Sequence, residues 1–178
     1  MVVSPESFEE VALPHLAAAY NLARWLTRND KDAEDVVQEA YLRAYKHFGT
    51  FCASDARPWL LAIVRNTYHT WIRRNRFAYV ELDLEDETFT HPQSDDPETL
   101  LLKEVDKQIL REALRRLPTE FLEVIVLREF EQMSYKQISE VAEIPMGTVM
   151  SRLARARKRL AELVSNCHSK AEPAELVV

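Results

Sequence analysis

Between Glu81 and Glu98 the chain reads ELDLEDETFTHPQSDDPE, with eight carboxylates and no Lys or Arg. Like charges at this density repel one another and resist burial, Pro92 and Pro97 interrupt any regular element, and no apolar stripe at helical spacing runs through the stretch. It reads as an acidic linker. A hydrophobic core must therefore be built on either side of it, and 178 residues leave room for two small units, each close to the size of about 60 residues at which a core becomes marginal. The chain has only 2 glycines, its periodic segments are rich in Leu, Ala, Arg and Glu, and alternating β-branched runs with hairpin turn pairs are missing. The expected fold is all-α: two small helical domains joined by the linker, with boundaries at 1–80, 81–105 and 106–165, and a disordered tail at 166–178.

The same inventory narrows the chemistry. Cys52 and Cys167 lie far apart without metal-ligand spacing, and His15, His47, His69, His91 and His168 are dispersed, so neither a disulfide scaffold nor a metal site is expected. Glycine-rich phosphate loops, nucleophile elbows and HExxH are absent, which speaks against an enzyme, a bound cofactor or a small-molecule substrate. With neither a signal-peptide pattern nor an apolar run near the ~20 residues that span a bilayer, a soluble cytoplasmic protein without membrane insertion is expected. A formal net charge of −6 excludes a protein that coats nucleic acid by bulk electrostatics. The charge is nonetheless segregated, because every charged residue from Arg57 to Arg76 is basic.

Periodicity supplies the elements. The spacing predicts a helix over Leu13 to Thr27, then a helix capped by Asp32 with Val36, Val37, Ala40, Tyr41, Ala44 and Phe48 inward and Asp35, Gln38, Glu39 and Leu42 outward. After a loop from Gly49 to Arg57, Pro58 is expected to open a helix that buries Trp59, Leu60, Ile63, Val64, Thr67 and Trp71. The second unit reads as four helices: Ile109 to Leu117, Phe121 to Phe130, Ser134 to Ala142, and Gly147 to about Val164. The connector 143–146 makes the last two a helix-turn-helix, with Ile138, Val141, Ala142, Ile144, Val149 and Leu153 packing across the turn.

In the last helix Val149, Leu153, Ala156, Leu160 and Leu163 repeat at 4-3-4-3 spacing and must face inward. Thr148, Ser151, Arg152, Arg155, Lys158 and Arg159 are thereby presented outward. Short hydrogen-bonding groups followed by long cations suit a helix that enters a major groove, since base edges and flanking phosphates are then both in reach. The stretch WLLAIVRNTYHTWIRRNRF interleaves aromatic and cationic side chains, a combination suited to single-stranded or melting DNA, where exposed bases stack on rings. On the residues alone, solvated helix faces and core tryptophans fit the same letters.

The blocks together resemble the extracytoplasmic-function class of bacterial sigma factors, over roughly Phe8 to Val164. DAEDVVQEAYLRAY at 32–45 resembles that family's core-polymerase-binding segment, and RPWLLAIVRNTYHTWIRRNR at 57–76 its segment for the −10 promoter element. LRRLPTEFLEVIVLREFEQMSYKQISEVAEIPMGTVMSRLARARKRL at 114–160 resembles its fourth domain. The resemblance implies a transcription initiation factor that binds core RNA polymerase, directs it to promoters, promotes −10 melting and is held in check by an anti-sigma factor. It implies that Asp35, Gln38, Glu39 and Leu42 meet the beta-prime clamp helices and that the fourth domain sits on the beta flap. Arg57, Trp59, Arg65, Asn66, Arg73, Arg74 and Arg76 fall on −10 positions, and Tyr135, Lys136, Thr148, Ser151, Arg152, Arg155, Lys158 and Arg159 on −35 positions. The sequence departs from the pattern at Thr70, Leu122, Met150 and Glu143, the last where glycine often makes the turn. The rival reading is a freestanding helix-turn-helix regulator, which predicts tight duplex binding without polymerase.

Overall fold

The computed structural model describes residues 7–51, 55–75 and 97–171, and the side chains of these apart from residues 50, 97–104 and 167–171. Among them every regular element is helical, in two regions that residues 76–96 connect in sequence. Arg76, most of the expected linker, the chain end beyond Ala171 and residues 52–54 of the expected loop lie outside the described residues.

The N-terminal region holds α1 (Phe8–Ala12), α2 (Leu16–Thr27), α3 (Asp30–His47) and α4 (Ala56–Arg74). A capping box opens α1: the Ser7 hydroxyl accepts from the Glu10 N–H at 3.2 Å, and the Glu10 carboxylate accepts from the Ser7 N–H at 2.9 Å. Asn29, not Asp32, caps α3. Arg28 reverses the chain in the left-handed region (φ 60°) and leaves Asn29 extended, so that its Oδ1 accepts from the Asp32 N–H at 3.1 Å. Asp32 instead lies in the first turn, where its charge favours the positive end of the helix dipole. Tyr41 donates its hydroxyl to the Ala12 carbonyl at 3.0 Å, and burial pushes its pKa up to about 12.

Asp55 caps α4 by accepting from the Arg57 N–H at 3.1 Å, which places Pro58 inside the first turn rather than at the helix start. The buried face of α4 is Leu60, Leu61, Val64, Thr67 and Tyr68. Trp59, Ile63 and Trp71, expected in the core, are only half-buried. A single-stripe reading assumes one covered face, whereas α4 packs on α2 and α3 and also on α7 of the other region.

The C-terminal region holds α5 (Pro97–Arg115), α6 (Thr119–Ile125) continued by a π-helical turn (Val126–Phe130), α7 (Tyr135–Ala142) and α8 (Met146–Ala171). Two boundaries differ from the sequence reading. Helix α5 begins at Pro97, so 97–105, assigned above to the linker, is helical, with proline at the first helical position where its missing N–H costs nothing. Helix α8 runs on through the first part of the expected tail, there being no breaker before Pro173.

Helices α7 and α8 pack in a helix-turn-helix-like manner. Ser134 caps α7 in a second capping box with Gln137. The turn is made by Glu143 in the left-handed conformation (φ 54°), and the N–H groups of Glu143 and Ile144 both turn back on the Ser139 carbonyl. Thr148 and Val149 then donate to the Pro145 carbonyl at 2.8 and 3.1 Å, starting α8. The buried apolar residues form a core that continues from Leu22, Leu26 and Val64 into Leu114, Leu117 and Leu122. No helix among the described residues is long and apolar enough to cross a membrane, and no group of three or more His, Cys, Asp or Glu there could hold a metal ion.

Candidate nucleic-acid interface

The face of α8 follows from its buried row. Val149, Leu153, Ala156 and Leu163 are buried against α5, α6 and α7. Arg155, Lys158 and Arg159 are exposed, as is Lys136 on α7, while Tyr135, Thr148, Ser151 and Arg152 are half-buried. Several of these groups have partners within their own region. Arg152 lies 3.3 Å from Glu120 and Arg159 3.2 Å from Glu162, and the Ser151 hydroxyl donates to the Thr148 carbonyl at 3.0 Å. Arg128 lies over the Tyr135 ring, 5.0 Å from its centroid. Arg157, on another side of α8, pairs with Glu129 at 2.7 Å, and that bond raises its pKa. Arg155 and Lys158 have no ion pair among the described residues. Surface pairs of this kind are worth at most about 1 kcal/mol each and yield to a phosphate with little loss.

On α4 the candidate residues divide. Arg57, Arg65 and Asn66 point to the C-terminal region, and each meets an acidic side chain there. The Arg65 Nε donates to Glu123 at 2.7 Å, and the His69 Nε2 lies 3.0 Å from the same oxygen. Glu123 is buried, its side chain 2% exposed, and Arg65 is 15% exposed. Arg57 pairs with Glu131, whose side chain is 5% exposed. Asn66 donates through Nδ2 to Glu143 at 2.8 Å, and Gln137 through Nε2 to the α4 cap Asp55 at 2.9 Å. Arg73 and Arg74 remain exposed; Arg73 donates to the His69 carbonyl at 3.2 Å, and Arg74 lies 3.7 Å from Glu39. Trp59 packs on Phe51 with ring centroids 4.7 Å apart.

Two residues with structural weight here escaped the sequence reading. Glu123 interrupts the apolar run Phe121 to Leu127, and Glu131 precedes the buried Met133. A lone carboxylate inside an apolar helical run is the signal that could have flagged Glu123, since such a charge is buried only with a partner.

The remaining candidate face lies on α3. Asp35, Gln38 and Leu42 are exposed, Leu42 with 63% of its surface in solvent and Tyr45 beside it at the same value. Glu39 is half-buried and holds Arg43 one turn on. The face thus combines two exposed acceptor-bearing residues with an exposed leucine and tyrosine, and Glu39 links it to Arg74 at the end of α4.

Comparison with known proteins agrees with both regions. Residues 12–78 match the model of Sigma-70 region 2, and residues 107–160 that of Sigma-70, region 4. The ECF RNA polymerase sigma factor SigE of Mycolicibacterium smegmatis is 29% identical over 164 residues, which make up 92% of this chain and 64% of that one. The RNA polymerase sigma-H factor of Pseudomonas aeruginosa is 31% identical over 162 residues, 86% of this chain and 84% of its own. Among solved structures, the sigma factor RpoE of Bartonella quintana, determined in complex with the anti-sigma factor NepR, is similar with a TM-score of 0.71 at 28% identity, covering 89% of this chain and 96% of that one. With two sigma regions in family order, and relatives that run through both, the chain belongs to the ECF class of RNA polymerase sigma factors, which are initiation factors and not enzymes.

Proposed function

We propose that this sigma factor reads a −35 element with the helix-turn-helix of α7 and α8 and a −10 element with α4, while the exposed face of α3 holds core RNA polymerase. The observation that carries the reading is the outward face of α8. Its apolar row is buried, which leaves Arg155, Lys158 and Arg159 in solvent behind the short polar groups Thr148 and Ser151, the order that groove recognition requires. On α4, Arg73 and Arg74 supply exposed cations, and the Phe51–Trp59 pair supplies rings at the helix entrance. On α3, Asp35, Gln38, Glu39 and Leu42 offer acidic and apolar contacts to the beta-prime clamp helices, and the C-terminal region would also meet the beta flap. Control by an anti-sigma factor is supported by the Bartonella relative, solved with one. Such a factor works where polymerase is, in the cytoplasm.

The test is reconstitution with sigma-free core polymerase on a library of promoter fragments. Specific run-off transcripts are expected, and aligning their upstream sequences yields both elements. Arg155→Ala is expected to weaken −35-dependent binding of the holoenzyme by about 1–3 kcal/mol, the range for one side-chain contact to a base. Coincident footprints of the two holoenzymes over the −35 element would remove Arg155 from the interface.

A further inference from the structure

Two methionines on α8 keep nearly half of their surface in water. Met146 begins the helix and is 48% exposed, Met150 one turn on is 47% exposed, and Ala154 a further turn on is exposed as well. Residues four apart share a helix face, so 146, 150 and 154 form one apolar row. None of the three belongs to the core, which α8 joins through Val149, Leu153, Ala156 and Leu163. A single exposed apolar side chain is ordinary on a protein surface. A row of them, with Arg152, Arg155 and Arg157 as neighbours, leaves the gain from burial unrealised in the free chain.

This row adjoins the proposed −35 face. At about 100° per residue, Gly147, Ser151 and Ala154 fall between Met150 on one side and Arg155 on the other. A Cβ at Gly147 would meet nothing within 4 Å, and its φ is not positive. Neither space nor backbone geometry calls for glycine there, although glycine is a poor helix former. Its missing side chain leaves the first turn of α8 open to close approach by a ligand.

The chemistry of the groove decides what Met150 can meet. A major groove offers hydrogen-bond donors and acceptors and, at each thymine, one C5 methyl group. A thioether is uncharged and only a weak acceptor, so phosphates and polar base edges give it little. The thymine methyl is the apolar feature within reach, and an unbranched, flexible side chain adapts to it.

We propose that Met150 is a specificity-determining residue that selects thymine within the −35 element by packing on its C5 methyl group, with Met146 extending the apolar surface beside it. The proposal deepens the −35 reading of α8 made under Proposed function and rests on it. Arg155 and Met150 then divide the recognition: the cation takes hydrogen-bond acceptors, and the thioether takes the base that offers a methyl group.

The experiment uses holoenzyme on a run-off library in which the −35 element is randomised and the −10 element held fixed. With the unaltered chain, thymine is expected to be enriched at one position at least. With Met150→Ala that enrichment is expected to fall about fourfold, the worth of one buried methyl group, while preferences elsewhere in the element persist. Met150→Leu, which stays apolar, is expected to retain it. The enriched thymine is then replaced by deoxyuracil, which removes the methyl group alone. Binding by the unaltered holoenzyme is expected to weaken about fourfold, and binding by the Met150→Ala holoenzyme to stay the same.

No loss with deoxyuracil, or an equal loss for both holoenzymes, overturns the proposal. So does a Met150→Ala holoenzyme that loses transcription equally from every −35 sequence, since a partner protein rather than a base would then cover the methionine. Met150 is exposed and alanine is the better helix former, so the variant is expected to keep its helix content. Arg155→Ala separates the underlying reading. If no holoenzyme shows any −35 preference, that reading and this proposal fall together; a preference that depends on Arg155 but not on Met150 removes this proposal alone.

Discussion

Glu143 shows how one residue can serve local backbone and long-range contact together. The turn between α7 and α8 needs a left-handed residue, and a side chain there is strained relative to glycine by about 1–2 kcal/mol. Glutamate is kept at φ 54°, and its carboxylate reaches Asn66 on α4. Replacing it with Gly or Ala removes the carboxylate in both cases, so the two variants differ in backbone alone. Glu143→Gly is expected to be more stable than Glu143→Ala by about 1 kcal/mol, part of the strain relief being offset by glycine's greater freedom in the unfolded chain. Equal denaturant midpoints for the two variants would show that the turn carries no strain. That a non-glycine residue makes this turn was readable from the letters; that its side chain crosses to the other region was not, because nothing within four residues of Glu143 specifies Asn66.

At the level of elements, the caps are the strongest local signals. Ser134 with Gln137 three residues on marks the start of α7, and the structure closes both hydrogen bonds of the box. Ser134→Ala is expected to cost about 1 kcal/mol of stability with no change in the denaturant slope. It should also loosen the placement of Tyr135 and Lys136, seen as weaker −35 protection in a holoenzyme footprint. An unaltered midpoint would assign the start of α7 to tertiary packing instead. The sequence misplaced the α3 cap because Asn29 and Asp32 are both good caps, and only the chain reversal at Arg28 chooses between them. Helix α4 was assigned one buried stripe, yet it is covered on two sides, and its buried residues include Leu61 and Tyr68, while Trp59 and Trp71 are half-buried.

For the whole molecule, the net charge of −6 works against retention of the free chain on DNA through long-range repulsion. The isolated chain is therefore expected to bind promoter duplex no more tightly than non-specific complexes do at physiological salt, roughly 10⁻⁶ M at best. A mobility-shift titration with and without core polymerase checks this, and a tight sequence-selective complex of the chain alone would contradict it.

Helix content, the inward row of α8 and the two-region order were determined by the sequence alone, because periodicity, capping residues and charge segregation act over a few neighbours along the chain. Which of two covered faces α4 presents, and which acids its cations meet, was decided only by tertiary structure. Arg65 and Glu123 are 58 residues apart in sequence, and their meeting depends on how two apolar surfaces join into one core. No local pattern encodes that choice, since the pairing of buried charges follows from packing rather than preceding it.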